Sequence, residues 1–232
     1  MRFDPPLATG VLLRRYKRFM ADVRLKDGSV VVAHIANTGS MAGCSTPGSR
    51  VALSHHPDSG RKLLWSWELI DVDGSWICVN TSLPNRIVEE AIRAGRLGPL
   101  RGYKELAREV PYGANSRIDI KLMGKDRPCF VEVKNATMRV GRQARFPDSV
   151  TERGRKHLEE LSQQVREGAR AVMLFLVNRG DCGALAPADD VDPAYGETLR
   201  RAHGEGVELL AYRTRPTLHG IAIEKKLPVR LP

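Results

Sequence analysis

The sequence predicts an α+β protein in two parts, a small closed β-barrel followed by an α/β domain. Three observations predict it. The first 80 residues are short apolar runs separated by turn residues, with no helical period. From Pro84 the apolar residues recur at helical spacing. Beyond that point strand-like and helix-like segments alternate to the end of the chain. A length of 232 residues is enough for each part to bury a core.

In the first part, residues 11–16 read as a strand. Residues 22–26 alternate, with Val23 and Leu25 on one side, and Val30, Val31 and Val32 follow the Asp27-Gly28 pair. A DG pair between two such runs is a strong hairpin signal. Loop chemistry fills residues 37–43 (NTGSMAG) and 46–49 (TPGS). The first of these is read as a tight turn rather than a phosphate cradle. His55-His56 before Pro57 also reads as a loop, with no further metal ligands nearby. Residues 63–71, and residues 76–79 after the Asp73-Gly74 turn, are further strands. Trp65 and Trp67 share a face with Leu63 and Leu69, a stripe expected to be core. Five or so short strands without a helix suggest an OB-like barrel over residues 1–81.

In the second part, residues 82–232, Ile87, Val88, Ala91 and Ile92 mark a helix that Pro84-Asn85 opens. Strands are expected near residues 108–112, 117–123 and 129–135. A helix over residues 151–167, with Leu158, Leu161 and Val165 on one face and Thr151 as N-cap, comes next. Residues 171–177 form a buried strand, residues 193–204 a helix and residues 207–212 a last strand.

Composition narrows the function. The 37 Lys+Arg against 27 Asp+Glu give a net charge of +10. The isoelectric point near 9.8 is what a nucleic-acid binder shows. The start, MRFDPPLATG, lacks the pattern of an export signal. The longest apolar run is far short of the ~20 residues of a membrane span. Cys44, Cys78, Cys129 and Cys182 are far apart and form no CxxC pair. These features predict reduced thiols, a cytoplasmic protein and no membrane association.

The chemistry sits in SRIDIKL followed by CFVEVKN. Strand alternation puts Ile118, Ile120 and Leu122 on one face and Arg117, Asp119 and Lys121 on the other. In the second strand Val131 and Val133 point one way, and Phe130, Glu132 and Lys134 the other. Adjacent strands would then bring Asp119, Glu132 and Lys134 together. Two carboxylates suit Mg²⁺ or Mn²⁺, with the Val133 carbonyl as a further oxygen donor. A lysine beside them can orient the attacking water of phosphodiester hydrolysis or stabilise charge on phosphorus. The order helix, three strands, helix, buried strand is that of the PD-(D/E)XK nuclease core. A solvated strand face is the competing reading. The first helix offers Glu89 and Glu90, of which Glu90 either reaches the same metal or lies in solvent.

Cations crowd two other places. RRYKRF sets Arg14, Arg15, Lys17 and Arg18 around Tyr16 and Phe19, a mix that suits phosphate contact and base stacking better than a charged edge strand. As a strand, Tyr16 would share a face with Arg14 and Arg18. Arg153, Arg155, Lys156 and His157 crowd the start of the second helix, where cations oppose the helix dipole. Phosphate contact is the simpler explanation, with Lys156 the best placed.

The stretches RYKRF, NTGSM, RKL, NTSLPN, SRID, EVKN, FPDSVTERGRKHL, RAVMLFLV and ELLAY resemble the sugar fermentation stimulation protein A family over the length of the chain. The resemblance implies an OB-like domain joined to a PD-(D/E)XK-like domain, non-specific DNA binding, and a regulatory role in sugar (maltose) metabolism. It carries Asp119, Glu132 and Lys134 over as the nuclease-like site, with Glu90 as the helical acid. The expected catalytic residues are therefore Asp119, Glu132 and Lys134, and the expected metal ligands Asp119, Glu132 and Glu90. Arg14, Arg15, Tyr16, Lys17, Arg18, Arg117, Arg153 and Lys156 are the expected nucleic-acid contacts. The partner would be single- or double-stranded DNA, bound by a single chain or a homodimer. Two functions follow: a metal-dependent nuclease, or a non-catalytic DNA-binding regulator that keeps the nuclease fold.

Overall fold

A computed structural model describes residues 1–113 and 116–232. The barrel is built from β1 (Ala8–Tyr16), β2 (Met20–Leu25), β3 (Val30–His34), β4 (Arg50–His55) and β5 (Trp65–Val72), and β6 (Ser75–Cys78) pairs outside it with β5. The strand order is β3-β2-β1-β4-β5, and a parallel β3–β5 pairing closes the ring. This is the OB-like barrel the turn spacing predicts. The strand missing from the sequence reading is β4, a short run lying between loop signals on both sides.

The hairpin between β2 and β3 turns at Gly28, whose φ of +87° is open to glycine without steric cost. Leu12, Val23, Leu53, Trp67 and Ile70 fill the barrel, and Trp67 Nε1 donates to the Leu69 carbonyl. The expected Trp65–Trp67–Leu69 stripe is broken, because the β4–β5 register shifts between Ala52 and Leu53. Trp67 stays in the barrel while Leu69 turns out of it, into a core shared with the second half of the chain.

That second half begins with α1 (Pro84–Arg93), then β7 (Glu105–Tyr112), β8 (Ser116–Met123) and β9 (Cys129–Ala136). A short arm, β10 (Met138–Val140) and β11 (Gln143–Phe146), leads to α2 (Glu152–Arg166). It continues through β12 (Arg170–Val177), β13 (Ala184–Pro187), α3 (Pro193–Gly204), β14 (Glu208–Thr217) and β15 (Gly220–Leu227). Six strands form a mixed sheet in the order β15-β14-β12-β9-β8-β7, parallel only among β9, β12 and β14. The arm and β13 make a separate three-stranded sheet. These short pieces and the hairpin strand β15 carry no period long enough to read from sequence.

The sheet is covered on both faces. Val172, Leu174 and Leu176 of β12 pack with α1 and with Ala52, Leu69 and Cys78 of the barrel. Met173, Phe175 and Val177 pack with Leu158 and Leu161 of α2 and with Tyr195 and Leu199 of α3. A central parallel strand must be apolar on both sides, which is why RAVMLFLV reads as one continuous run. No helix among the described residues is long and apolar enough to cross a membrane.

Helix α2 starts where its cap predicts, with Thr151 Oγ1 accepting from Gly154 N at 3.0 Å. Thr151→Ala is expected to cost about 1 kcal/mol. In a thermal melt this reads as about 2–4 °C, and an unchanged midpoint would refute the cap's contribution.

Candidate active site

Strand β8 pairs with β9 from Leu122↔Cys129 to Ile120↔Val131. Beyond that the main chains part, and Val133 N donates not to a strand carbonyl but to Asp119 Oδ2, at 2.7 Å. This parting has a consequence for the faces. Ile120 and Leu122 lie in the α1-side core, whereas Ile118 packs with Tyr112 and Phe130 on the other side. The expected single face for Ile118, Ile120 and Leu122 is thereby corrected: Asp119 sits at the switch, with its carboxylate facing the opening between β8 and β9.

Asp119, Glu132 and Lys134 line one cleft of about 410 Å³. Its other walls include Asn37 and Thr81 of the barrel, Asn85 of α1, Phe146 and Asp148 after the arm, and Arg153 and His157 of α2. The cleft is thus built where the two halves meet. Ser40 Oγ hydrogen-bonds Asp148 Oδ2 at 2.9 Å and ties the barrel loop to the far wall.

Each carboxylate is held differently. Asn85 Nδ2 donates to Asp119 Oδ1 at 2.7 Å. Burial and the neighbouring charge of Glu132 nevertheless push the Asp119 carboxyl up to about 6. Glu132 is 2% exposed. Burial would raise it too, but hydrogen bonding to His157 and the charge of Lys134 outweigh that and hold it below the ordinary carboxylate range. Lys134 Nζ donates to Glu132 Oε1 at 2.7 Å, and His157 Nδ1 contacts the same oxygen. Glu132 Oε2 is buried and has no hydrogen-bond partner among the described residues.

The proton on His157 follows from its other neighbour. Arg153 Nε, which can only donate, lies 3.3 Å from His157 Nε2. Nε2 is therefore the acceptor, and the Nδ1–H donates to Glu132. Lys134 Nζ, 3.0 Å from the same Nδ1, faces a donor there and keeps its hydrogen bond to Glu132. His157 and Arg153 thus form a second line of support behind Glu132.

Several predicted residues fall elsewhere. Glu90 does not line the cleft: its carboxylate is taken by the Met1 amino group at 2.9 Å and by Arg86 at 3.0 Å. Glu89 pairs with Arg93 and Arg108. The α1 side chain that reaches Asp119 is Asn85. Arg153 lines the cleft, whereas Lys156, three residues further along the helix, is 3.7 Å from Glu160. Arg117 is exposed and donates to the Glu109 carbonyl.

The barrel cations divide in two. Arg14 Nε pairs with Asp22 at 2.7 Å, and Tyr16 OH donates to the same carboxylate at 2.9 Å. Arg15 donates to the carbonyls of Arg18, Asn37 and Gly39, so it shapes the loop that walls the cleft. Lys17 and Arg18 lie in the turn after β1, exposed, with φ of 49° and 66°. Arg18 therefore does not share a strand face with Arg14 and Tyr16. Left-handed conformations at two successive non-glycine residues are strained, and such strain concentrates where a surface is used.

Among the described residues no three His, Cys, Asp or Glu side chains come together as a metal cage. A hard divalent ion needs only one or two carboxylates when waters and substrate phosphate supply the rest. Asp119 with the unpartnered Glu132 Oε2 fits that need.

Comparison with known proteins agrees with this architecture. Residues 13–79 match the family model "SfsA N-terminal OB domain", and residues 82–220 match "Sugar fermentation stimulation protein RE domain". The sugar fermentation stimulation protein homolog of Citrifermentans bemidjiense is 52% identical over 231 residues, covering 100% of both chains. That of Geobacter sulfurreducens is 54% identical, covering 97% of this chain and 96% of its own. The solved structure of Pyrococcus furiosus SfsA in complex with Ca²⁺ superposes with a TM-score of 0.90 at 29% identity, over 99% of this chain and 98% of that one.

Proposed function

The chain belongs to the sugar fermentation stimulation protein family, and we propose that it binds DNA and hydrolyses its phosphodiester bonds with a divalent cation. The observation that carries this reading is the Glu132 carboxylate. It is buried and kept ionised by two neighbours, the Lys134 ammonium and the His157 N–H, yet among the described residues one oxygen, Oε2, has no hydrogen-bond partner. An orphaned anionic oxygen at a cleft is costly unless something positive binds it. The Ca²⁺ in the Pyrococcus furiosus relative supports a hard cation of this class.

Asp119 and Glu132 would hold Mg²⁺ or Mn²⁺, with the Val133 carbonyl at hand. The cation, when bound, acidifies its water and offsets charge building on phosphorus. The protein's own part is positional. Asn85 and the Val133 N–H fix Asp119, and His157 fixes Glu132. The Lys134 ammonium, anchored on Glu132, is the group that orients the attacking water. Arg153 uses one nitrogen on His157 and offers the rest of its guanidinium to a phosphate at the cleft mouth. Lys17 and Arg18 offer further backbone contacts. Contacts to phosphates alone make binding largely sequence-independent and strongly weakened by salt. Through such binding the protein would act in the cytoplasm on sugar (maltose) metabolism.

A second reading, DNA binding without catalysis, draws on Glu90. With that acid held by Met1 and Arg86, the donor set is two carboxylates rather than three. Incubation with single- and double-stranded DNA in Mg²⁺, Mn²⁺ or EDTA, beside Asp119→Ala, separates the two. Metal-dependent cleavage by the parent alone is the expected result. Salt-sensitive binding with no cleavage in any metal would favour the second reading. No binding at all would remove both.

A further inference from the structure

A second cleft, of about 360 Å³, opens at the C-terminal end of α1 and includes Arg101, Gly102, Tyr103, Lys104 and Leu122 in its lining. It is distinct from the Asp119–Glu132 cleft, which lies at the N-terminal end of the same helix, where Asn85 is. Along α1 the separation is about 12–14 Å at 1.5 Å per residue.

The charges here are arranged unlike those on the helix beside it. Arg86 and Arg93 of α1 are each paired with a glutamate. Arg101, Lys104 and Lys125 have no carboxylate within salt-bridge distance among the described residues; Arg101 donates to the Gly95 carbonyl. Glu105 is the one carboxylate among the cleft's lining residues.

Two glycines let the lysines close in. A Cβ at Gly102 would stand 2.8 Å from Lys125 Cε, and one at Gly124 would stand 2.7 Å from Lys104 Cβ. Both glycines also have positive φ, +85° and +88°. Lys125 Nζ lies 4.6 Å from the centre of the Tyr103 ring, so the ammonium is held in place rather than free in solvent. The ring's hydroxyl is 3.4 Å from Arg170 Nη1, and Arg170 grips Glu208 with two nitrogens. Three cations, none in a salt bridge among the described residues and one of them anchored on an aromatic ring, outnumber the single Glu105 and make a site for an anion.

We propose that Arg101, Lys104 and Lys125 bind phosphate groups of a nucleic-acid strand whose neighbouring segment lies in the Asp119–Glu132 cleft. The inference rests on the DNA-binding reading above and adds to it a second contact at a set distance. A strand long enough to span both clefts feels these lysines, and a strand that fills only the first does not.

The test uses the full chain in EDTA, where no cleavage intervenes, and fluorescein-labelled oligothymidylates of two and twenty nucleotides. Lys104→Gln/Lys125→Gln is compared with the parent by anisotropy across a salt series. Both lysines are exposed, and an unchanged thermal midpoint checks the fold. The expected result for the 20-mer is about tenfold weaker binding, with the slope of log affinity against log salt reduced by about 1.4, or 0.7 per phosphate contact on a single strand. The 2-mer should be unaffected. An equal loss for both lengths, or no loss for either, overturns the inference while leaving DNA binding intact. Failure of the parent to bind either oligonucleotide removes the DNA-binding reading and the inference with it. A pyrophosphate titration by calorimetry, weakened by the double substitution in a parent that binds no oligonucleotide, would reassign the site to a free phosphate compound.

Discussion

Asp119→Asn is expected to abolish metal-dependent cleavage and, in EDTA at pH 7–8, to make the protein more stable. The sign follows from linkage. The Asp119 carboxyl titrates at about 6 when folded, against an ordinary 3.8. Between those values the folded chain holds a proton that the unfolded chain has lost, so stability falls as pH rises through that window. A shift of about two units corresponds to at most about 3 kcal/mol of destabilisation above pH 6. The amide removes that cost but disturbs the Asn85 hydrogen bond, worth about 1 kcal/mol. A net gain of about 2 kcal/mol remains, or about 4–8 °C in the midpoint. Below pH 4, where the titration cost is gone from the parent as well, only the disturbed Asn85 bond remains and the variant should melt about 2–4 °C lower. Ca²⁺ at a hundred times its dissociation constant would add about 2.7 kcal/mol to the parent and little to the variant. Cleavage should fall on the order of 10²–10³-fold or more, the scale for loss of one transition-state electrostatic contact. A variant less stable than the parent at pH 8 would show that the carboxylate is favourably held, contrary to the cause assigned to its shift.

The second large effect is expected at His157. Its imidazole is 5% exposed and is one of two groups on Glu132 Oε1. His157→Ala leaves a buried carboxylate with Lys134 alone and a hole beside it. Losing a neutral donor to a buried carboxylate costs about 1.5–3 kcal/mol, and the hole adds to it. Because Glu132 is held below its ordinary value, the lost stability is that present at neutral pH. It should shrink as pH falls through the folded-state titration of Glu132. Urea unfolding at pH 7.5 and pH 4 measures both limbs. A structural role alone would also be met by a neutral donor, so His157→Gln should recover part of the stability. The assigned tautomer has its own readout: ¹⁵N spectra of the parent should show Nδ1 protonated and Nε2 unprotonated. The reverse would mean that Arg153 does not set the ring.

The residues of the candidate site divide by how they could be read. Asp119, Glu132 and Lys134 are legible because strand alternation is local: ExK puts two side chains on one face whatever lies around it. Asn85 and His157 depend on where helix ends dock, which no local pattern encodes. His157 did leave a signal, being one turn before Leu161 on the apolar face of α2. Arg153, four residues earlier, belongs to the same stripe, which is why it rather than Lys156 faces the cleft. The position of the Glu90 carboxylate depends on the Met1 amino group, which is far away in sequence, so no local pattern carries it. In the barrel, the Asp27-Gly28 turn fixed a hairpin that the structure contains, while the β4–β5 register shift that sends Leu69 outward has no marker in the chain. In RRYKRF strand alternation divides the cations between two faces, whereas Asp22 and the carbonyls of the 37–39 loop claim Arg14, Arg15 and Tyr16 and leave Lys17 and Arg18 exposed.

The Leu69 turn-out also bears on how this protein could have changed over time. Leu7, Ala52, Leu69 and Cys78 lie in one core with Val131 and Val172 of the sheet. Each half also keeps a core of its own, but a gene that lost either segment would leave this shared seam bare and encode a sticky particle. The two segments are therefore inherited as one cassette: a lineage can tune the cleft or the barrel loops, but it cannot trade one half for a foreign module without rebuilding the seam.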